Sequence, residues 1–311
     1  MRVFGLVALL APLMLAGCSV HNMVLFFPAG PMAATELHYT YLITGIMMIV
    51  IVPTLLMSLW FPIKYHISRQ HKEKYTPDWT FSYVIEVLAW GIPLGIVAVL
   101  AWLSVHGIQA IDPWNPPLLA KAAPNAPVEE VDVIATDWQW VFIYPAEKLV
   151  TIDELTVPAG ARVDVKLTST QNMNGFYIPQ VAPMVDAMPA MQTKDTFVIS
   201  QPGDFTGFST DFSGAGFSWM RFAVHAVTPA DFTAWVQSHQ GAAPLDYAAF
   251  DAHIAPPQVN YGAKPSYFTL TDPKLFGEVI TAAQMGKTYP VSQALNKAVA
   301  DDDAAPTAGA Q

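Results

Sequence analysis

Few residues in this chain are of types that do chemistry, and their spacing narrows them further. The single cysteine, Cys18, closes the string Leu15-Ala16-Gly17-Cys18. Arg2 opens a short apolar run, and small residues stand directly ahead of the thiol. This is the layout at which an exported chain is cut and its new terminal thiol acylated, so Cys18 is expected to be a lipidation site, and the rest of the chain has no thiol to offer. Glu86 stands at the edge of an apolar run, where a carboxylate costs free energy unless it is hydrated or paired. It is either a proton-handling acid or an interfacial carboxylate in headgroup water. Met184, Met188 and Met191 offer thioethers, but in a proline-containing loop they point to adaptable packing rather than a metal. His225, His239 and His253 are too far apart to form a local metal motif. Arg162 and Arg221 are expected to be ion-paired at the surface. There is no supported Ser-His-Asp arrangement, phosphate-cradling loop or pair of carboxylates at meaningful spacing. The expectation is therefore no catalytic residue and no metal.

The elements that must position these residues divide sharply. Leu37 to Ile63 and Val87 to Ile111 contain no Asp, Glu, Lys or Arg. About 20 apolar residues span a bilayer core, so both are candidate transmembrane helices. Pro53 and Pro93 fall inside them, which is tolerable where neighbouring helices or waters satisfy the freed carbonyls. Lys64, Arg69, Lys72 and Lys74 cluster between the two segments. Basic loops stay in the cytoplasm, so both ends of the pair are expected outside, in agreement with an exported Cys18. The net charge of −10 lies mostly beyond the helices and argues against nucleic acid as a partner.

Beyond a stretch rich in proline and alanine, the pattern turns to short alternating runs. Strands are predicted over Val131–Thr136, Trp138–Tyr144, Thr151–Val157, Arg162–Thr168, Thr193–Ser200, Phe205–Ser209 and Met220–Val227. Pro158-Ala159-Gly160, Asn172 to Gly175 and Pro202-Gly203-Asp204 are the turns between them. So many short strands in about 100 residues suggest a β-sandwich. Trp138 and Trp140 alternate on one strand and should share a face, packed against the sandwich or a partner. Thr228-Pro229 is a helix start, and further helices are predicted over Pro244–His253 and Asp272–Met285.

The expected order is a signal peptide over 1–17, an exported segment over 18–36 and two transmembrane helices within 37–111 (about 38–62 and 84–107). A linker over 112–127, a sandwich over 128–228 and a helical extension over 229–290 follow. The tail over 291–311 has a composition that predicts disorder.

Several ordered motifs resemble one family. Asp137-Trp138-Gln139-Trp140 through Pro145 resembles the aromatic stretch of subunit II of haem–copper respiratory oxidases. Lys74-Tyr75-Thr76-Pro77-Asp78-Trp79 and Ile85-Glu86 through Pro93 are similar to that family's loop and second helix. Asn174 through Gln180 and Gly214 through Met220 are similar to its two copper loops. The resemblance covers nearly the whole chain and implies a membrane-anchored fold of mixed α and β. It consists of an N-terminal two-helix transmembrane hairpin, an exported cupredoxin-like Greek-key β-sandwich and short C-terminal helices.

In the copper-bearing members, two thiolates, two imidazoles, one thioether and one backbone carbonyl hold a dinuclear centre. Soft thiolates delocalise the electron between the two ions. Position by position, Asn174 and Phe217 stand where the imidazoles would be, Ser209 and Ser213 where the thiolates would be, and Asp211 at the carbonyl. Only Met220, the thioether, keeps its type. This is the pattern of the quinol-oxidising branch, the cytochrome o-type ubiquinol oxidases. It implies a copper-free, non-catalytic subunit of a proton-pumping complex, with no cofactor in this chain and haems and copper in subunit I. The implied partners are subunit I and the other subunits, membrane lipids, and ubiquinol through the complex. The implied place is the bacterial inner membrane, with the lipidated N-terminus and the sandwich in the periplasm. In the family an acid at the place of Glu86 lies near the mouth of a proton channel. Two alternatives stay open: a copper-bearing cytochrome c oxidase subunit II, and a free-standing lipoprotein binding module.

Overall fold

The computed structural model describes residues 23–66, 80–114, 116–258 and 264–292. Cys18, Arg69, Lys72, Lys74 and the tail beyond Ser292 lie outside the described residues. The chain forms two compact units, one of residues 35–110 and one of residues 1–34 with 111–311.

The first unit is a helix pair, α1 (Pro31–Lys64, whose first residues belong to the second unit) and α2 (Tyr83–Ala110). At about 1.5 Å rise per residue, each is longer than a bilayer core requires. Their mean hydropathies over the most apolar stretch are 2.4 and 2.2, and Leu55, Leu59, Leu94 and Val97 are among the many exposed apolar residues. A helix apolar on all sides needs lipid or protein around it. The pair touch where the Tyr39 ring faces Gly107: a Cβ there would sit 3.5 Å from the ring. The helix predicted to start near residue 38 in fact begins at Pro31, because proline's fixed φ suits a first helical position. Ala34 closes that turn with a hydrogen bond to the Gly30 carbonyl.

The second unit is a two-sheet sandwich. In chain order, a short helix α3 (Pro117–Ala122) precedes β1 (Val128–Ala135), β2 (Trp140–Tyr144), β3 (Leu149–Ile152), β4 (Glu154–Pro158), β5 (Arg162–Ser169) and β6 (Asn174–Ile178). There follow β7 (Ala182–Ala187), β8 (Thr193–Val198), β9 (Gly203–Ser209) and β10 (Arg221–Val227). Then come α4 (Pro229–His239), β11 (Pro244–Leu245), α5 (Tyr247–His253), β12 (Ser266–Leu270) and α6 (Leu275–Gln284). One sheet has the order β11-β12-β3-β2-β1-β5-β8 and the other β4-β10-β9-β6-β7. Phe142, Phe176, Phe197, Phe222 and Trp140, all buried, fill the space between them. Phe176 and Phe222 stack 5.2 Å apart, and Trp140 meets both edge-on.

Several predicted boundaries move. The strand predicted over Thr151–Val157 is two strands in different sheets. The chain crosses at Asp153, whose φ is 59° and whose carboxylate accepts the Trp140 amide at 2.8 Å. Trp138 lies outside β2, so it does not share a strand face with Trp140. The predicted linker contains α3. The predicted Pro244–His253 helix is β11 followed by α5, and β12 adds a further strand, so the region after 228 is not purely helical. Buried Glu154 fastens it: its carboxylate accepts from Trp235 Nε1 of α4 at 3.2 Å and from the Tyr267 hydroxyl of β12 at 2.9 Å. The Thr228 cap holds as predicted, with its hydroxyl accepting the Asp231 amide at 3.2 Å.

Candidate functional site

The copper-loop positions gather at one end of the sandwich. Asn174 opens β6, Ser209 closes β9, and Met220 immediately precedes β10. Antiparallel pairing of β9 with β6 and β10 brings the three together. Ser209 Oγ donates to Asn174 Oδ1 at 3.3 Å, and the Ser209 amide donates to the Met220 carbonyl at 3.1 Å. Asn174 Nδ2 donates in turn to the Asn172 carbonyl at 2.9 Å. All three side chains are buried.

The other three positions lie on the loop between β9 and β10 and face different neighbours. Phe217 packs edge-on against exposed Phe212 at 5.7 Å. Burial first, and the nearby Asp186 carboxyl second, push the Asp211 carboxyl above the usual range. Ser213 is buried, and among the described residues its Oγ has no hydrogen-bond partner. Its carbonyl accepts the Trp138 indole N–H at 3.0 Å.

These donors do not match a dinuclear copper centre. The six positions supply no thiolate and no imidazole, only hard oxygens, one amide, one ring and one thioether. One serine hydroxyl is already spent on Asn174. Among the described residues, no group of three or more His, Asp or Glu side chains is placed to hold a metal ion. His225 pairs with Asp204 at 2.6 Å, while His239 stacks on Tyr267 at 3.8 Å. Met184 accepts from the Thr210 hydroxyl at 2.7 Å. Arg162 pairs with Asp164 at 2.8 Å as expected. Arg221 instead stands over the Phe208 ring at 5.9 Å, because its place at the start of β10 lies across from Phe208 in β9.

Sequence reasoning missed the residue that organises this end. Asp137, almost wholly buried, accepts from Gln171 Nε2 at 2.5 Å and from Asn172 Nδ2 at 2.9 and 3.0 Å. Burial raises its carboxyl and those two amides pull it back. Its carbonyl accepts from the Gln258 amide at 2.6 Å, and Gln171 exchanges hydrogen bonds with the backbone of Tyr289. A groove of about 560 Å³ lies here, lined by Asp137, Trp138, Asn172, Ser213, Gly214 and Tyr289 among others. The one charged residue between Val133 and Ala146, just ahead of Trp138, was the available signal.

Glu86 sits in the first turn of α2 and is exposed.

The model of the cytochrome c oxidase subunit II periplasmic domain matches residues 143–227. The cytochrome bo(3) ubiquinol oxidase subunit 2 of Pseudomonas putida is 35% identical over 260 residues, covering 83% of this chain and 80% of that one. The chain belongs to the ubiquinol oxidase subunit 2 family. The ubiquinol oxidase subunit 2 of Acetobacter aceti is 34% identical over 286 residues, with 92% and 90% covered. The periplasmic domain of subunit II of cytochrome oxidase from Bradyrhizobium japonicum is similar at 21% identity and a TM-score of 0.35, covering 37% of this chain and 95% of that one. As a member of its family, this chain is a membrane-anchored subunit of a respiratory oxidoreductase complex, with other subunits as partners. Its sandwich is the cupredoxin-like one of the family.

Proposed function

We propose that this chain is the copper-free, non-catalytic subunit 2 of a proton-pumping ubiquinol oxidase. It stabilises subunit I, which oxidises ubiquinol and reduces oxygen to water. The carrying observation is at the two thiolate positions: both are serine, and Ser209 spends its hydroxyl on Asn174 at 3.3 Å. A serine hydroxyl stays protonated near neutral pH and is a hard ligand, so it cannot bridge copper as a thiolate does.

The chemistry of the donor explains why such a subunit can dispense with a relay. Cytochrome c is a soluble protein, and its electron must be received outside the membrane. Ubiquinol is lipid-soluble and delivers electrons within the bilayer, so haems and copper are needed only in subunit I. The sandwich then caps the catalytic subunit. Its place is the periplasmic face of the bacterial inner membrane, held by α1, α2 and an acylated Cys18. The basic residues between the helices support that orientation.

The test is purification of the complex in mild detergent. The expected preparation contains haem, oxidises ubiquinol and not reduced cytochrome c, and lacks near-infrared absorbance from a dinuclear copper centre. Two copper ions bound to this chain would overturn the proposal, as would a chain that never co-purifies with a haem-bearing subunit.

A further inference from the structure

The chain leaves the sandwich for the membrane at two places, and the sandwich holds both together. Met32, in the first turn of α1, is buried against Leu119 and Val198, with Ile111 and Leu118 packed on them. Ile111 directly follows the second span. The approach to Met32 is fastened to the sandwich by backbone hydrogen bonds. The Ala29 amide donates to the Gln180 carbonyl at 2.7 Å, and the Ser200 amide donates to the Ala29 carbonyl at 2.9 Å. Gly30 comes so close that a Cβ would lie 2.2 Å from the Val198 carbonyl oxygen.

Next to these fixed passages stand exposed apolar side chains. Met23, Val24, Phe26 and Phe27 are 44%, 40%, 37% and 47% exposed, on and beside a single helical turn, Val24–Phe26, that buries nothing. Trp114, three residues beyond Ile111, is 56% exposed. Its backbone is set by a 3.0 Å hydrogen bond to Asp112. No charged residue occurs between Met23 and Thr35. The two spans enter and leave the bilayer on the same side, so both groups lie within a few residues of one membrane surface. Aromatic side chains next to spans settle at the headgroup level, and exposed apolar residues are taken up at the same depth.

We propose that Met23, Val24, Phe26, Phe27 and Trp114 form a collar that beds the sandwich in the lipid headgroup and upper acyl region. The occupant is the lipid surface itself, by continuity with the two spans. The collar is independent of which side of the membrane the sandwich occupies and of whether the complex handles quinol.

The test uses spin labels on Val24→Cys, Trp114→Cys and, as an aqueous reference, Ala234→Cys on exposed α4. Each full-length chain, with the subunits it brings, is placed in nanodiscs of phosphatidylethanolamine and phosphatidylglycerol. The spectrum of the unsubstituted chain is subtracted to account for Cys18. The expected ratio of oxygen to nickel-chelate collision rates at positions 24 and 114 is several-fold above that at 234. A ratio at either position equal to the reference means water and overturns the proposal. A label at either position shielded from both reagents means a protein neighbour and overturns it equally.

Discussion

Ser209 Oγ donates to Asn174 Oδ1 in a buried hydrogen bond of 3.3 Å that ties the end of β9 to the start of β6. Removing one partner of a buried hydrogen bond costs about 1–3 kcal/mol, whereas removing both costs less than the sum. Asn174→Ala should therefore lower stability by about that amount, and Asn174→Ala with Ser209→Ala by less than the two singles together. Chemical unfolding of the four chains checks this, and strict additivity would count against the link.

Tyr144 joins the two sheets directly. Its hydroxyl donates to the Thr156 carbonyl at 3.0 Å and accepts the Thr156 amide at 2.9 Å. Tyr144 lies in one sheet and Thr156 in the other. Tyr144→Phe leaves two buried backbone groups unpaired and should destabilise by about 1–3 kcal/mol. An unchanged thermal midpoint would mean that water replaces the hydroxyl.

The loop between β9 and β10 is moulded on Trp138. A Cβ on Gly216 would lie 2.3 Å from the Trp138 ring, and Trp138 is buried. Overpacking of this kind costs about 1–3 kcal/mol. Gly216→Ala should lower stability by that much and alter the near-ultraviolet dichroism of the domain. An unaltered spectrum would show that the loop yields instead of the ring.

What the sequence discloses and what it hides follow from the range of the interactions. The spans are legible because charge is absent over a long run, and the Thr228 cap because its partner is three residues away. The serines and Phe217 are legible as residue types, but their contacts with Asn174, Trp138 and Phe212 are not. The crossing at Asp153 hides inside a run that reads as one strand, since only its contact with Trp140 across the turn explains the break. β6 and β7 hide because Asn174 and Gly175 look like turn residues, and their pairing with each other and with β9 is long-range. β12 depends on Glu154 and β3, more than a hundred residues earlier. Asp137 draws its role from Gln171, Gln258 and Tyr289, none of them near it in sequence.

Burial, and next the adjoining Glu147 carboxyl, push the Glu129 carboxyl from 4.5 up to about 7. Its place early in β1 sets it beside the turn that follows β2. The folded protein thus keeps a proton here that the unfolded chain has already released between about 4.5 and about 7. Folding binds more protons in that window, so stability falls as pH rises through it. The contribution is complete at the acid end and lost above about 7. Thermal midpoints at pH 5 and pH 8 should differ by less in Glu129→Gln than in the unsubstituted chain. An identical pH dependence in both would place the titration elsewhere.

Glu86 offers the last test, because its chemistry separates two roles. It stands exposed in the first turn of α2, at the end of a long apolar run. A carboxylate there is either hydrated by the headgroup region, and then replaceable, or it collects protons for the complex. The amide of Glu86→Gln keeps the size and hydrogen-bonding reach but cannot take up a proton. If Glu86 collects protons, that variant should slow proton-coupled ubiquinol oxidation several-fold without lowering the haem content of the purified complex. Glu86→Asp should retain most of the rate, since it restores the ionisable group at nearly the same place. Unchanged turnover and proton release in Glu86→Gln would make Glu86 an interfacial carboxylate, and a loss of haem along with the rate would make its role one of assembly.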